Sequence, residues 1–456
     1  MVEKTYQRIK FNCRLLASGL VLLASLFASA AMAQEIRLIS DDETEDFLAQ
    51  IIKPLFQAAG VAFNRNDIYI VEDNSLNAFV ADGNRLFVHT GTIISADSPE
   101  ELAGVLAHET GHIQGGHILR QKLKSQSLQE VSLASAILAG AAAVASGRSD
   151  VAMAAMLGSQ SSILTNFTRY RTEEERSADE AAISLLSKTG QTPNGMLTFM
   201  KRIAAQYRLQ GMEEMPYFRT HPITQERIAF FEEAVKKSDT TPNTDLQPQF
   251  ERIKAKIYAY LMPPAQTLRR YPAQDDSIAA HYARTIAYFK QLQPAKANKE
   301  LDRLLAKEPD NPYFHELKGQ MYLETGKIAP AKKEYATALK LRPNSPLLQI
   351  SYAQAILEDN PNRQETRQAI DMLNQAVIKH DSGFAWLLLS RAYGLQGEIA
   401  AANYAAAEYS LRIGAPEIAL EQLKQAQKSS PSPRLAIKID DLTAMITDLL
   451  KKRQRS

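Results

Sequence analysis

With 456 residues, 45% of them hydrophobic and 23% charged, the chain has the composition of an ordinary soluble protein and the length for two or three domains, each with its own core. Its formal charge of +2 falls to about −1 once residues 1–33 are set aside, which excludes nucleic-acid binding by bulk charge. The single cysteine, Cys13, lies in that same stretch, so the remainder forms no internal disulfide and any metal site must be built from histidine and carboxylate.

Residues 1–33 have the pattern of a cleaved secretory signal peptide. Lys4, Arg8, Lys10 and Arg14 precede an apolar run from Leu15 to Phe27, and small residues follow as far as Ala31-Met32-Ala33. The run is short for a membrane span, and no cysteine follows it to carry a lipid anchor. Export without disulfides is compatible with a bacterial periplasm.

From about Asp41 to Lys237 the pattern is mixed helix and strand. Asp67–Val71 and Arg85–His89 read as strands, joined through NSLNAFVADGN, in which Asp82-Gly83-Asn84 is a turn signal. A helix then opens at Ser98-Pro99-Glu100-Glu101, with serine as N-cap, proline at the first helical position and glutamate at the capping-box position. It runs through LAGVLAHETGHIQ and ends near Gly115-Gly116. His108 and His112, four residues apart, face the same way, as two nitrogen ligands of one metal must. Glu109 follows the first of them, where a carboxylate can act as base on an attacking water. Without a third ligand, the same residues could be two surface histidines on an amphipathic helix.

The third histidine of the stretch, His117, is one residue short of the position at which one zincin class places its third ligand, and that position, 118, is isoleucine. His117 is therefore expected past the helix end, exposed to solvent or standing behind a ligand. The segment Ser125–Ser162 is rich in alanine and serine, and its core VSLASAILAGAAAVASG is too short and too weakly apolar to span a bilayer well. Helices packed near the site are expected there; a mobile lid or a patch in peripheral contact with a membrane are the alternatives.

A better candidate for the third ligand lies in RYRTEEERSADEAAISLL. Thr172 with Glu175 resembles a second capping box, and stepping back at helical spacing from Leu186 and Ala182 reaches Asp179 and Glu175. Two carboxylates thus occupy a face that should be buried, which is costly unless a cation or strong donors receive them. A metal accounts for both, with Glu175 as oxygen ligand and Asp179 accepting a hydrogen bond from a ligand imidazole. The plainer reading keeps Glu175 as a cap alone.

Residues 238–277 turn polar and proline-bearing around one helical stretch, FERIKAKIYAYL, and read as a connector. Beyond it a 34-residue period appears. Gly319, Tyr322, Gly326, Ala331, Tyr335, Ala338 and Pro343 fall where a tetratricopeptide repeat wants small, aromatic, turn and stop residues, and residues 278–311 and the chain after 346 keep the register. Stacked helix pairs of this kind present a concave surface to a protein partner.

HETGH, ERSAD with Glu175 and Asp179, RTHPITQERI around His221, and LNAFVADGNRLFVHTG together resemble the gluzincin metallopeptidases of the HtpX and CAAX prenyl protease type over roughly residues 40–235. The signal peptide and repeats narrow the resemblance to periplasmic members that attend to outer-membrane β-barrel proteins. It implies one zinc ion per chain held by His108, His112 and Glu175, with Glu109 as catalytic base. It further implies that His221 approaches the metal, either closing its fourth position in a latent enzyme or stabilising an oxyanion, and that Asn77, Ala78 and Phe79 form an edge strand that pairs with substrate. The implied partners are misfolded or stalled β-barrel proteins and, through the repeats, the β-barrel assembly machinery. An assembly factor or repeat-based adaptor with a latent or inactive site is the alternative. The expected architecture is mostly α: an α+β zincin-like metallopeptidase domain with a small sheet over 34–237, a connector over 238–277, and an α-helical tetratricopeptide-repeat solenoid over 278–456.

Overall fold

Asp41 starts the first long helix: its side chain accepts the Thr44 N–H at 3.0 Å, and the helix Asp42–Ala59 runs to Gly60, whose φ of 70° closes it in the left-handed region. The computed structural model describes residues 37–81, 83–117, 120, 172–210, 221–241 and 245–455. The expected signal peptide, the Ser125–Ser162 segment and Asp82 of the expected turn lie outside the described residues. Among those described, no helix is long and apolar enough to cross a membrane.

The strands are β1 (Leu38–Ile39), β2 (Ile68–Val71), β3 (Ala78–Ala81) and β4 (Arg85–His89). β4 pairs parallel to β2, with Ile68 opposite Leu86, and antiparallel to β3, with Ala78 opposite Val88. β3 is paired on one side only among the described residues. Alternation does the sorting: Ile68, Ile70, Val80, Leu86 and Val88 face a core shared with Phe47, Leu48, Ile51, Ile52 and Leu55 of the first helix. Tyr69, Phe87 and Phe79 point the other way and stack at 4.8 and 4.9 Å. Each large side chain fully buried in that core contributes about 1.5–3 kcal/mol.

The histidine helix, Pro99–Gln114, is capped as its sequence predicts by Ser98, which accepts the Glu101 N–H at 3.3 Å. The Glu101 carboxylate reaches one residue further back than a capping box, to the Asp97 N–H at 3.0 Å, and pairs with Arg202. Glycine sets how closely this helix approaches the helix Asn194–Gln210: a Cβ on Gly104 would stand 2.6 Å from the Met196 nitrogen.

The helix Gln247–Leu261, inside the expected connector, serves two cores. Phe250, Ile253 and Ile257 pack with the sheet and first helix, whereas Ala255 and Ala259 pack with Tyr282, Leu301 and Phe314. A charged seam runs beside it. Glu43 accepts from Arg252 at 2.6 Å, Arg252 also reaches Glu308 at 3.2 Å, and the Tyr313 hydroxyl donates to Asp46 at 2.8 Å. Asp42 takes Arg65 at 2.6 Å and also the Ser345 hydroxyl.

From Ile278 onward ten helices follow one another to Arg455, and consecutive helices pack together. The signature residues do what their sizes require. Gly319 leaves room for the Tyr335 ring, which a Cβ would meet at 3.0 Å, and Ala331, Ala338, Ala369 and Ala376 are fully buried. The helix Ile399–Arg412 packs against both Gly383–Gln396 and Pro416–Lys428, so the last repeats share it.

Candidate metal centre

Three helical segments converge on one point. The Pro99–Gln114 helix brings His108, Glu109 and His112, all buried. The helix described over residues 172–188 brings Glu175 and, one turn later, Asp179. Thr172 already lies within that helix, so it does not act as the expected cap, and Glu175 turns to the histidines instead. Gly111 lets the two helices meet, because a Cβ there would stand 2.7 Å from the Ala178 carbonyl oxygen. The third contribution, His221, lies just before the helix Gln225–Lys237, whose N-cap Thr224 accepts the Arg227 N–H at 3.3 Å.

His108 Nε2 is 3.1 Å from His112 Nε2, 3.3 Å from His221 Nδ1 and 3.3 Å from Glu175 Oε2. His112 Nε2 is 3.4 Å from Glu175 Oε1, and His221 Nδ1 is 3.0 Å from that same oxygen. Four ligands bound tetrahedrally at 2.0–2.1 Å stand about 3.3 Å from one another, so the spacing suits a zinc-sized ion. The chemistry agrees. His108 Nδ1 lies 2.8 Å from Asp179 Oδ1, which favours the tautomer whose Nε2 lone pair points inward at the Glu175 carboxylate, itself an acceptor. Acceptors gathered around one point call for a cation.

Electrostatics divide the donors: against burial, hydrogen bonds with Asp179 and Glu175 raise His108 to about 9, toward a protonated form whose charge a bound cation would replace. Burial alone would raise the Glu175 carboxyl, but hydrogen bonds with His108, His112 and His221 hold it well below the usual range. Burial is the main cause driving His112 and His221 toward the neutral form that offers a lone pair. Burial also lifts the Glu109 carboxyl to about 7, against the pull of His112 and His108, near the value that suits a general base. Among the described residues Glu109 Oε1 has no hydrogen-bond partner, and it lies 3.5 Å from His221 Nε2. The His221 ring thus stands between the metal-ligand cluster and the expected base.

One contributor had no role in the sequence reading. Arg227 donates to Asp179 through Nε at 2.7 Å and Nη2 at 2.8 Å, and its Nη1 lies 2.9 Å from Glu175 and donates to the Pro222 carbonyl at 2.8 Å. The signal was present in the two buried acids, which need more positive charge than one ligand set supplies, and in the arginine six residues after His221. Of the two places expected for His117, exposed to solvent or behind a ligand, the structure shows the second: it is 1% exposed, and its Nδ1 lies 2.8 Å from His112 Nδ1. It stands behind a candidate ligand because the chain turns at Gly116, φ 64°, and folds the imidazole back under the helix end.

The cluster brings together His108, Glu109, His112, Glu175, Asp179 and His221. Ala78 and Phe79 begin β3, and Asn77 immediately precedes it. Asn77 N–H donates to Thr92 at 2.8 Å, its carbonyl accepts the His89 N–H at 3.0 Å, and β3 follows as the outer strand.

Residues 42–235 match Peptidase family M48. The chain is 23% identical over 373 residues to the beta-barrel assembly-enhancing protease of Escherichia coli strain K12, covering 78% of this chain and 73% of that one. It is 26% identical over 286 residues to the putative beta-barrel assembly-enhancing protease of Vibrio cholerae serotype O1, 61% of this chain and 58% of that one. With the mitochondrial metalloendopeptidase OMA1 of Schizosaccharomyces pombe it shares 24% over 201 residues, 43% and 55% of the two chains.

Proposed function

We propose, from the premise that residues 42–235 are a Peptidase family M48 domain and the chain is a metalloendopeptidase, that it is a zinc endopeptidase of the periplasm acting in the quality control and assembly of outer-membrane β-barrel proteins. One observation carries the chemistry: three imidazole nitrogens and a carboxylate oxygen, all buried, lie within 4.8 Å of one another. The names of the curated relatives, the expected export signal and the repeats support the client class and the compartment. We assign residues 34–237 to the peptidase, 238–277 to the join and 278–456 to the repeats.

In this reading His108, His112 and Glu175 hold the metal, and a donor set of histidine and carboxylate favours zinc. The bound ion would supply Lewis acidity, lowering the pKa of water and polarising a peptide carbonyl. Glu109 takes the proton of the attacking water and delivers it to the leaving amine. Asp179 fixes the His108 ring; His108 and then Arg227 keep Asp179 ionised where burial would otherwise favour its protonation, and Arg227 also pairs with Glu175. An extended substrate pairs its backbone with the strand edge at Asn77, Ala78 and Phe79.

A second reading, an assembly factor or adaptor whose protease site stays latent, draws on His221. Its Nδ1 joins the donor cluster while its Nε2 faces Glu109, so one ring blocks the fourth position and the base together. The two readings combine if displacement of His221 switches the enzyme on.

Elemental analysis should find about one zinc per purified chain, lost in His108→Ala. Glu109→Gln should keep the zinc and lower cleavage of a stalled β-barrel substrate about a hundredfold or more. Zinc that survives His108→Ala, or cleavage unchanged in Glu109→Gln, would overturn the assignment.

A further inference from the structure

Where the helix Gln247–Leu261 meets the first repeats, a cavity of about 260 Å³ opens, with Tyr260, Tyr282, Tyr313, Lys256, Glu316 and Gln320 in its wall. Most of its polar groups are already engaged. The Tyr260 hydroxyl donates to Gln320 at 3.1 Å, Tyr282 to Glu43 at 3.1 Å and Tyr313 to Asp46 at 2.8 Å, so the tyrosines offer their rings rather than their hydroxyls. The Lys256 ammonium is bonded to Asp41, lies 3.2 Å from Glu43, and sits over the Tyr282 and Tyr313 rings at 5.8 and 5.6 Å.

Glu316 is different. Its half-buried carboxylate, in the wall of the cavity, makes no hydrogen bond or ion pair with any described residue. Burial, opposed by Lys256 but reinforced by Asp41, Asp42 and Glu43, lifts its carboxyl to about 8. A carboxyl that keeps its proton for want of a partner accepts a cation in the proton's place.

Glu316 and Gln320 also line a second hollow of about 490 Å³, together with Glu324, Tyr335, Gln354 and Glu358. The two hollows therefore share a wall, and the second lies along the helices Pro312–Glu324 and Pro346–Glu358 of successive repeats. Among the described residues, Lys256, already paired with Asp41 and Glu43, is the only basic one in either wall.

We propose that the two hollows form one docking trough for an extended polypeptide, and that Glu316 beneath the tyrosine rings receives a lysine or arginine side chain of that polypeptide. The carboxylate supplies a charge-assisted bond, the rings attract the cation through their faces, and Ile257 and Leu317 in the same wall suit the aliphatic stem. A free amine fits the first hollow alone, whereas a polypeptide continues into the second, where Gln354 and Tyr335 offer uncharged polar contacts. This rests on the reading that the repeats recruit protein clients, and adds the chemical feature they recognise.

The test uses the full chain carrying Glu109→Gln, so that binding is read without cleavage, and a fluorescein-labelled Ser-Lys repeat peptide followed by fluorescence anisotropy. Glu316→Gln should weaken binding roughly tenfold or more, and replacing the peptide lysines by norleucine should weaken it as much without further loss in the variant. The melting temperature should not fall, because Glu316 has no partner to lose. Tyr260→Leu, at a partly exposed ring, provides a second variant and should also weaken the lysine peptide. Equal affinity of the parent and Glu316→Gln for the lysine peptide would overturn the proposal, as would spermidine displacing the peptide from the parent while norleucine and lysine peptides bind alike. Neither result touches the zinc and cleavage tests above, and failure of those leaves peptide binding in place.

Discussion

At the residue scale, His221 holds the most consequential position. Its ring fills the space between the donor cluster and Glu109, and the chain immediately after it is fixed by the Arg227 side chain, which donates to the Pro222 carbonyl. A ring held this way restrains an enzyme by lowering the fraction of molecules with an open site. His221→Ala should therefore raise self-cleavage and casein turnover several-fold while zinc stays bound to the other three side chains, with gel densitometry and elemental analysis as the readouts. Equal or lower turnover would point instead to an oxyanion-stabilising role. Sequence alone identified His108, Glu109 and His112 from their spacing on one helix, and Glu175 and Asp179 from an excess of acid on a buried face. His221 became visible only through family resemblance, since a histidine before proline in a loop has no local pattern of its own. Arg227 escaped notice because its role depends on what faces it, and Asp179, which accepts from it twice, lies 48 residues away.

At the element scale, the site depends on how closely two helices approach. Gly111 faces the helix of residues 172–188 on the turn between the two histidine positions, and the Ala178 carbonyl occupies the space a methyl group would need. Gly111→Ala should move that helix and its Glu175 outward, weakening zinc retention about tenfold or more in a chelator competition while far-ultraviolet circular dichroism stays unchanged. Zinc affinity equal to the parent's would show that the helices can part without disturbing the donors. Ends of helices were more legible than their mutual arrangement. The Ser98 cap and the stop at Gly115-Gly116 follow from local hydrogen bonding, and the repeats follow from small residues at fixed offsets such as Gly319. Thr172 misled because a threonine three residues before a glutamate also occurs inside helices, where the glutamate can serve a tertiary partner.

On the scale of the whole molecule, the seam between peptidase and repeats is crowded with acids from the start of the first helix. Glu45 accepts the Asp41 N–H at 3.1 Å and lies 3.2 Å from Arg65, yet burial, with Asp42 and Asp41 alongside and against the pull of Arg65, lifts its carboxyl to about 7. In the unfolded chain it ionises near 4.5. The fold therefore holds this proton more tightly than the unfolded chain, and the associated stability, complete below about 4.5, is lost as pH rises and gone above about 7. Glu45→Gln keeps an acceptor for the Asp41 N–H without the charge. Relative to the parent it should gain on the order of 1–3 kcal/mol between pH 4 and pH 8, read from urea midpoints at each pH. A difference that does not change with pH would mean that Arg65 fully compensates the charge. Nothing in the polar composition of residues 238–277 disclosed that this stretch holds a helix buried on two sides, because hydrophobic residues on opposite faces look like weak amphipathicity when only one face is sought.

That helix also has a geometrical consequence. Phe250 and Ile257 on one face and Ala255 and Ala259 on the other tie the sheet and first helix to the first repeats through one shared helix. If the repeats grip a polypeptide as proposed, it would be offered to the site like cloth against a gauge. The number of residues from grip to cut would then follow from the protein's own dimensions, and a client too short to cover that span would be held but spared.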